Sequence, residues 1–205
     1  MRDNRKAHHR EAQGGFSLLE MLVVVVMILI LSAIAIINLN ATLPQQEATA
    51  AMNAAEAVFR QGRDSAIAQR RAYQLVATVP NQLDLVRQEV GNTTTQLPVV
   101  TLPAPAQFML YAGIPDTPDG YGECSTGLCF PGSGGVQQWL SDGTFVNGAT
   151  GAPLNATIFI AVPGNSPGDL KNIGTQRAFT VLGTTGRIRA YKWNGGSGAC
   201  CWVLE

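Results

Sequence analysis

The chain has 205 residues, 46% of them hydrophobic, and its 14 basic and 14 acidic side chains leave no formal net charge. That balance excludes a whole-chain electrostatic attraction to nucleic acid, and the length suits one modest domain with extra segments. Both histidines, His8 and His9, lie near the amino terminus, so a mature chain starting after Gly15 has none. Ser-His-Asp and Cys-His catalysis are then excluded, and zinc could be held only by cysteines and carboxylates.

Residues 1–15 read as a basic leader, in which Arg2, Arg5, Lys6 and Arg10 outnumber Asp3 and Glu11. From 18 to 37 the sequence is almost continuously apolar. Some twenty residues rising about 1.5 Å each match the roughly 30 Å hydrocarbon core of a bilayer. Length and the absence of turn residues predict a transmembrane helix over 16–37 rather than a buried strand. The basic flank predicts a single pass through the inner membrane, with the C-terminal domain in the periplasm. A conventional secretory signal is cut after its apolar core. Here the small pair Gly14-Gly15 precedes that core, so a cut there releases the leader and keeps the helix.

Glu20 is the one charged residue in the apolar run. It can sit at the interface beside the positive helix N-terminus, or pair with a cation. The nearest candidate is the α-amino group that cleavage would create on Phe16. The octapeptide Gly15-Phe16-Ser17-Leu18-Leu19-Glu20-Met21-Leu22 resembles the class III signal of type IV prepilins and type II secretion pseudopilins. In that motif Gly precedes the cut, Phe follows it and Glu stands four residues further on. The resemblance implies cleavage between Gly15 and Phe16 by prepilin peptidase, N-methylation of Phe16, and a role for Glu20 in docking subunits into a helical filament. The partners it implies are other pilins or pseudopilins, the peptidase and the inner membrane.

An amphipathic helix is predicted over 38–71, with Ala48, Ala51, Met52, Ala55, Val58, Phe59, Gly62 and Ala66 forming an apolar stripe at three- and four-residue steps. Pro44 predicts a kink or break before it. Alternation and flanking Gly/Pro clusters then predict strands at 73–79, 82–88, 107–112, 156–162, 177–182 and 187–193, with a long loop over 113–135. The expected fold class is α+β. A long N-terminal helix, membrane-spanning and then amphipathic, packs on an antiparallel β domain (72–205) of one or two sheets. This layout resembles the GspH/FimT branch, through the helix over 48–71, the turn Ser141-Asp142-Gly143-Thr144-Phe145, and the turn and strand Thr185-Gly186-Arg187-Ile188-Arg189. The branch implies a minor subunit of type II secretion or type IV pilus assembly. The lack of a mature histidine and of any paired-carboxylate motif weighs against an enzyme, and no cofactor is expected.

Cys124, Cys129, Cys200 and Cys201 allow three disulfide pairings, and an oxidising compartment favours their formation. One pairing closes a tight loop between Cys124 and Cys129; the others tie that loop to the C-terminus. Adjacent Cys200 and Cys201 suit zinc spacing badly, and no metal is expected. In a strand, Arg187, Arg189, Tyr191 and Trp193 share one face. Two guanidinium groups beside two aromatic rings could grip phosphates and stack on bases, and Gly186 to Arg189 also resembles the GRxR motif of FimT-type pilins that bind DNA. DNA is therefore an alternative partner. The plainer expectation is a strand whose arginines pair with acidic residues or face another subunit.

Overall fold

The computed structural model describes residues 16–91, 93–132, 135–166, 168–195 and 201–205. The expected leader, including Gly15, and Cys200 lie outside the described residues. The chain divides into two units, Met1–Ala41 and Thr42–Glu205, and one helix, α1 (Leu18–Gln69), contributes to both.

In the first unit, Ser17 starts the helix. Its Oγ accepts a hydrogen bond from the Leu19 N–H at 3.3 Å, and its carbonyl accepts from the N–H groups of Glu20 and Met21. This occupies donors that a helix start otherwise leaves bare. Among the described residues, no helix is long and apolar enough to cross a membrane. That finding corrects three expectations: the membrane-spanning first half of the fold, the transmembrane segment over 16–37, and the single-pass inner-membrane placement with a periplasmic domain.

In the second unit the predicted stripe is the buried face of α1: Ala48, Ala51, Met52, Ala55, Val58, Phe59 and Ala66 are each at most 3% exposed, and Gly62 is buried with them. The expected break at Pro44 is absent, and α1 runs through it. One proline removes a single helical hydrogen bond, while the buried face begins one turn later and holds the helix from that side.

Among the described residues twelve strands follow, β1 (Tyr73–Thr78), β2 (Gln82–Gln88), β3 (Thr94–Gln96), β4 (Val100–Thr101), β5 (Gln107–Phe108), β6 (Leu128–Cys129), β7 (Gln137–Trp139), β8 (Phe145–Asn147), β9 (Ala156–Ala161), β10 (Arg177–Leu182), β11 (Arg187–Trp193) and β12 (Trp202–Leu204). They form two antiparallel sheets. The first has the order β3-β2-β1-β7-β8 with β4 also on β2, the second β12-β11-β10-β9-β5 with β6 also on β9. Every residue of β9, Ala-Thr-Ile-Phe-Ile-Ala, is buried, as expected of a central strand covered on both faces. The helix and both sheets share one core. Phe59 meets Phe179 edge-on at 4.9 Å and Phe145 at 6.1 Å, and Phe145 lies 4.7 Å from Trp139.

The expected strand at 107–112 stops after Phe108. Its continuation is held by a side chain instead: the Tyr111 N–H donates to Gln176 Oε1 at 3.0 Å, and the Tyr111 hydroxyl donates to the Val162 carbonyl at 2.7 Å. Two turns meet where the sheets approach α1. Gly143 lies between β7 and β8, and Gly186 lies just before β11 at φ +64°. A Cβ on Gly186 would fall 2.1 Å from the Gly143 carbonyl oxygen, so both the backbone angle and the space demand glycine. Arg63 of α1 reaches over the pair, donating to the carbonyls of Gly143 and Thr185 at 3.4 Å each.

Candidate functional site

The amino-terminal site consists of Phe16, 79% exposed, and Glu20 in the first turn of α1. The helix start places positive backbone dipole beside the Glu20 carboxylate. From Leu18 to Ile34 the helix is apolar apart from Glu20 and Ser32, and its leucines, valines, isoleucines and methionines are exposed. A helix that is hydrophobic all round needs burial against a partner, and a contiguous apolar surface of this size marks an interaction site.

The second site is the outer face of β11, which divides into a free part and a committed part. Arg187 is exposed at the mouth of a cleft of about 520 Å³ that it shares with Arg60, Arg63 and Asp64. Arg189 is committed: its Nη1 donates to Asp119 Oδ1 at 2.9 Å. Asp119 also accepts from the hydroxyls of Thr180, at 2.5 Å, and Tyr191, at 3.0 Å. Burial pushes the Asp119 carboxyl upward. The bonds from Thr180 and Tyr191, with the Arg189 charge, outweigh that and hold it below the usual carboxylate range. Burial and the bond to Asp119 push the Tyr191 phenol up. This carboxylate fastens the long segment between β5 and β6 across the second sheet.

The aromatic half of the alternative DNA surface is covered as well. Tyr191 and Trp193 are at most 4% exposed, and Trp193 packs edge-on against Trp202 at 5.4 Å. Arg177, which could have extended a cationic surface, is 1% exposed. Its guanidinium donates to the Gly174 and Gln176 carbonyls at 3.1 and 3.0 Å and to Thr49 Oγ1 at 3.3 Å. The sequence reading missed Asp119, which stands in a Gly/Pro-rich loop with nothing to distinguish it from an ordinary turn residue.

Cys124 and Cys129 are joined by a disulfide with Cα atoms 5.6 Å apart; Cys201 is exposed. Among the described residues, no three His, Cys, Asp or Glu side chains come together in a way that could hold a metal ion.

The prokaryotic N-terminal methylation motif matches this chain over residues 10–36, so the chain carries a prepilin-type amino-terminal motif. Among solved structures it is similar to the minor pseudopilin EpsH of the type 2 secretion system of Vibrio cholerae. That likeness is at 14% identity with a TM-score of 0.39, over 73% of this chain and 99% of the other. No curated protein sequence gives a significant match.

Proposed function

We propose that the chain is a pilin-like subunit, a minor pseudopilin or minor pilin. It is cut between Gly15 and Phe16, methylated on Phe16, and joined to other subunits in the helical filament of a type II secretion system or a type IV pilus. The observation that carries this reading is the apolar, outward-facing helix over 18–34, which lies within the methylation motif matched over residues 10–36. Packing such helices side by side buries apolar surface at roughly 25 cal/mol per Å², and the single acidic side chain sets the register. Glu20 takes the amino group of a neighbour's Phe16 as its partner, because a carboxylate enclosed among apolar helices needs a cation.

The test is a Glu20→Ala variant expressed with its partner subunits. Incorporation into the filament, read by co-purification, should fall at least tenfold while the circular dichroism of the chain is unchanged. Normal incorporation of the variant removes the docking role.

A further inference from the structure

Arg177 carries an enclosed charge with no acid bonded to it. It opens β10 at 1% exposure, and its Nε and Nη1 atoms are taken by Thr49 Oγ1 and by the Gly174 and Gln176 carbonyls. Among the described residues, Nη2 has one long contact, 3.5 Å to Gln45 Oε1, at the limit of a hydrogen bond. A guanidinium does not give up its proton, and an enclosed charge is costly until an anion meets it.

A second cation stands directly across the sheet. Arg177 and Lys192 are register partners of β10 and β11. Their Cβ atoms therefore lie about 5 Å apart on one face, where like charges repel. Among the described residues neither makes an ion pair. Both line a groove of about 440 Å³ on the α1 side of the second sheet, and α1 forms the other wall with five uncharged residues between Gln45 and Asn53. No acid among the described residues lines it. The Glu205 charge reaches Arg177 and counters the fall that burial imposes on the guanidinium, but Glu205 lines the neighbouring groove with Ala190 and Leu204. β12 crosses Lys192 at Val203 and runs on toward Ala190, away from Arg177, so this groove is not in the path of the chain.

We propose that the groove receives one carboxylate, an aspartate or glutamate side chain of a neighbouring subunit, set between Arg177 Nη2 and Lys192 Nζ. One oxygen accepts from each cation, which fills the arginine's remaining donor and separates the two like charges. The charge balance selects a monoanion, because two cations face the groove and Glu205 already offsets part of their field. The source is a protein, because an open groove with two charged donors holds a free acid only weakly. A carboxylate on a subunit already seated by other contacts arrives at high effective concentration. The inference rests on the filament reading, which supplies those contacts.

The test is zero-length cross-linking of the full chain coexpressed with its partner subunits. A carbodiimide joins a carboxylate to a lysine amine that it touches, with loss of water, and Lys171 and Lys192 are the two lysines after residue 15. Mass spectrometry is expected to find Lys192 joined to an aspartate or glutamate of a neighbouring subunit, at least tenfold above Lys171, which lies outside the groove. Lys192→Gln should lower co-purification at least threefold with unchanged circular dichroism, and Lys192→Arg should retain it. Lys192 is the position to vary because it is half-buried, whereas Arg177 is enclosed. Three outcomes overturn the inference while co-purification leaves the filament reading standing: no cross-link from Lys192, a cross-link only to the chain's own Glu205, or normal incorporation of Lys192→Gln. Protection of an uncross-linked Lys192 from amine labelling by a single-stranded oligonucleotide assigns the groove to phosphate instead. Failure of any subunit to co-purify removes the filament reading and this partner with it.

Discussion

Replacing Asp119 with alanine tests whether one carboxylate fastens the segment between β5 and β6. The change removes the acceptor for two hydroxyls on side chains with almost no solvent contact, Thr180 at 1% and Tyr191 at 4% exposure. A buried hydroxyl left unsatisfied costs about 1–3 kcal/mol. Allowing the Thr180 rotor some local relief, the expected loss is about 2–4 kcal/mol. Arg189 lies at the surface and is assigned no share. A domain of this size moves about 2–4 °C in Tm per kcal/mol, so the melting point should fall by about 5–15 °C. Urea denaturation and calorimetry of the full chain measure both quantities. The pH dependence has a definite sign. The folded Asp119 carboxyl lies below its unfolded value, so its contribution is complete above the unfolded carboxylate range. It is lost as pH falls through the folded value. The variant should therefore lose stability less steeply in acid than the parent. Tyr191→Phe should cost stability in the parent and almost nothing in the Asp119→Ala background, since the two share one bond. A loss under about 1 kcal/mol, or additive effects of the two changes, would refute the anchoring role.

Gly186→Ala should destabilise the chain by about 2–4 kcal/mol, because a Cβ there meets the Gly143 carbonyl and the backbone is left-handed; a melting curve within 2 °C of the parent contradicts this packing. Converting Cys124 and Cys129 together to serine should cost about 2 kcal/mol in urea unfolding for so short a loop, and mass spectrometry of the parent should show the Cys124–Cys129 link without reductant. Amino-terminal sequencing after coexpression with prepilin peptidase should begin at a methylated Phe16; a first residue beyond Ile37 would instead mark an ordinary secretory signal.

The parts of the fold legible in the sequence are those with a long, clean period. The stripe from Ala48 to Ala66 recurs over five helical turns and is the buried face. Gln82–Gln88, Arg177–Leu182 and Arg187–Trp193 are strands over the residues expected. Two-residue β4, β5 and β6 carry no readable alternation and are held by pairing with distant strands. The membrane span expected from the sequence is not found. The run from 18 to 37 has the length of a full crossing by composition, whereas no helix among the described residues is long and apolar enough. At β11 the alternation correctly put Arg187, Arg189, Tyr191 and Trp193 on one face. It could not show that a loop from about seventy residues earlier lies across most of that face.

The Arg63 bridge has a mechanical meaning. Gly143 belongs to the first sheet and Thr185 to the second, and a single guanidinium from α1 holds the carbonyls of both turns. Load applied along the helix axis therefore reaches the two sheets together, at the point where each reverses direction, instead of peeling one away from the other. Contacts loaded in parallel share the force, whereas contacts loaded one after another fail singly. Beneath this corner the same helix is tied to both sheets again by Phe59, which meets Phe145 of the first and Phe179 of the second.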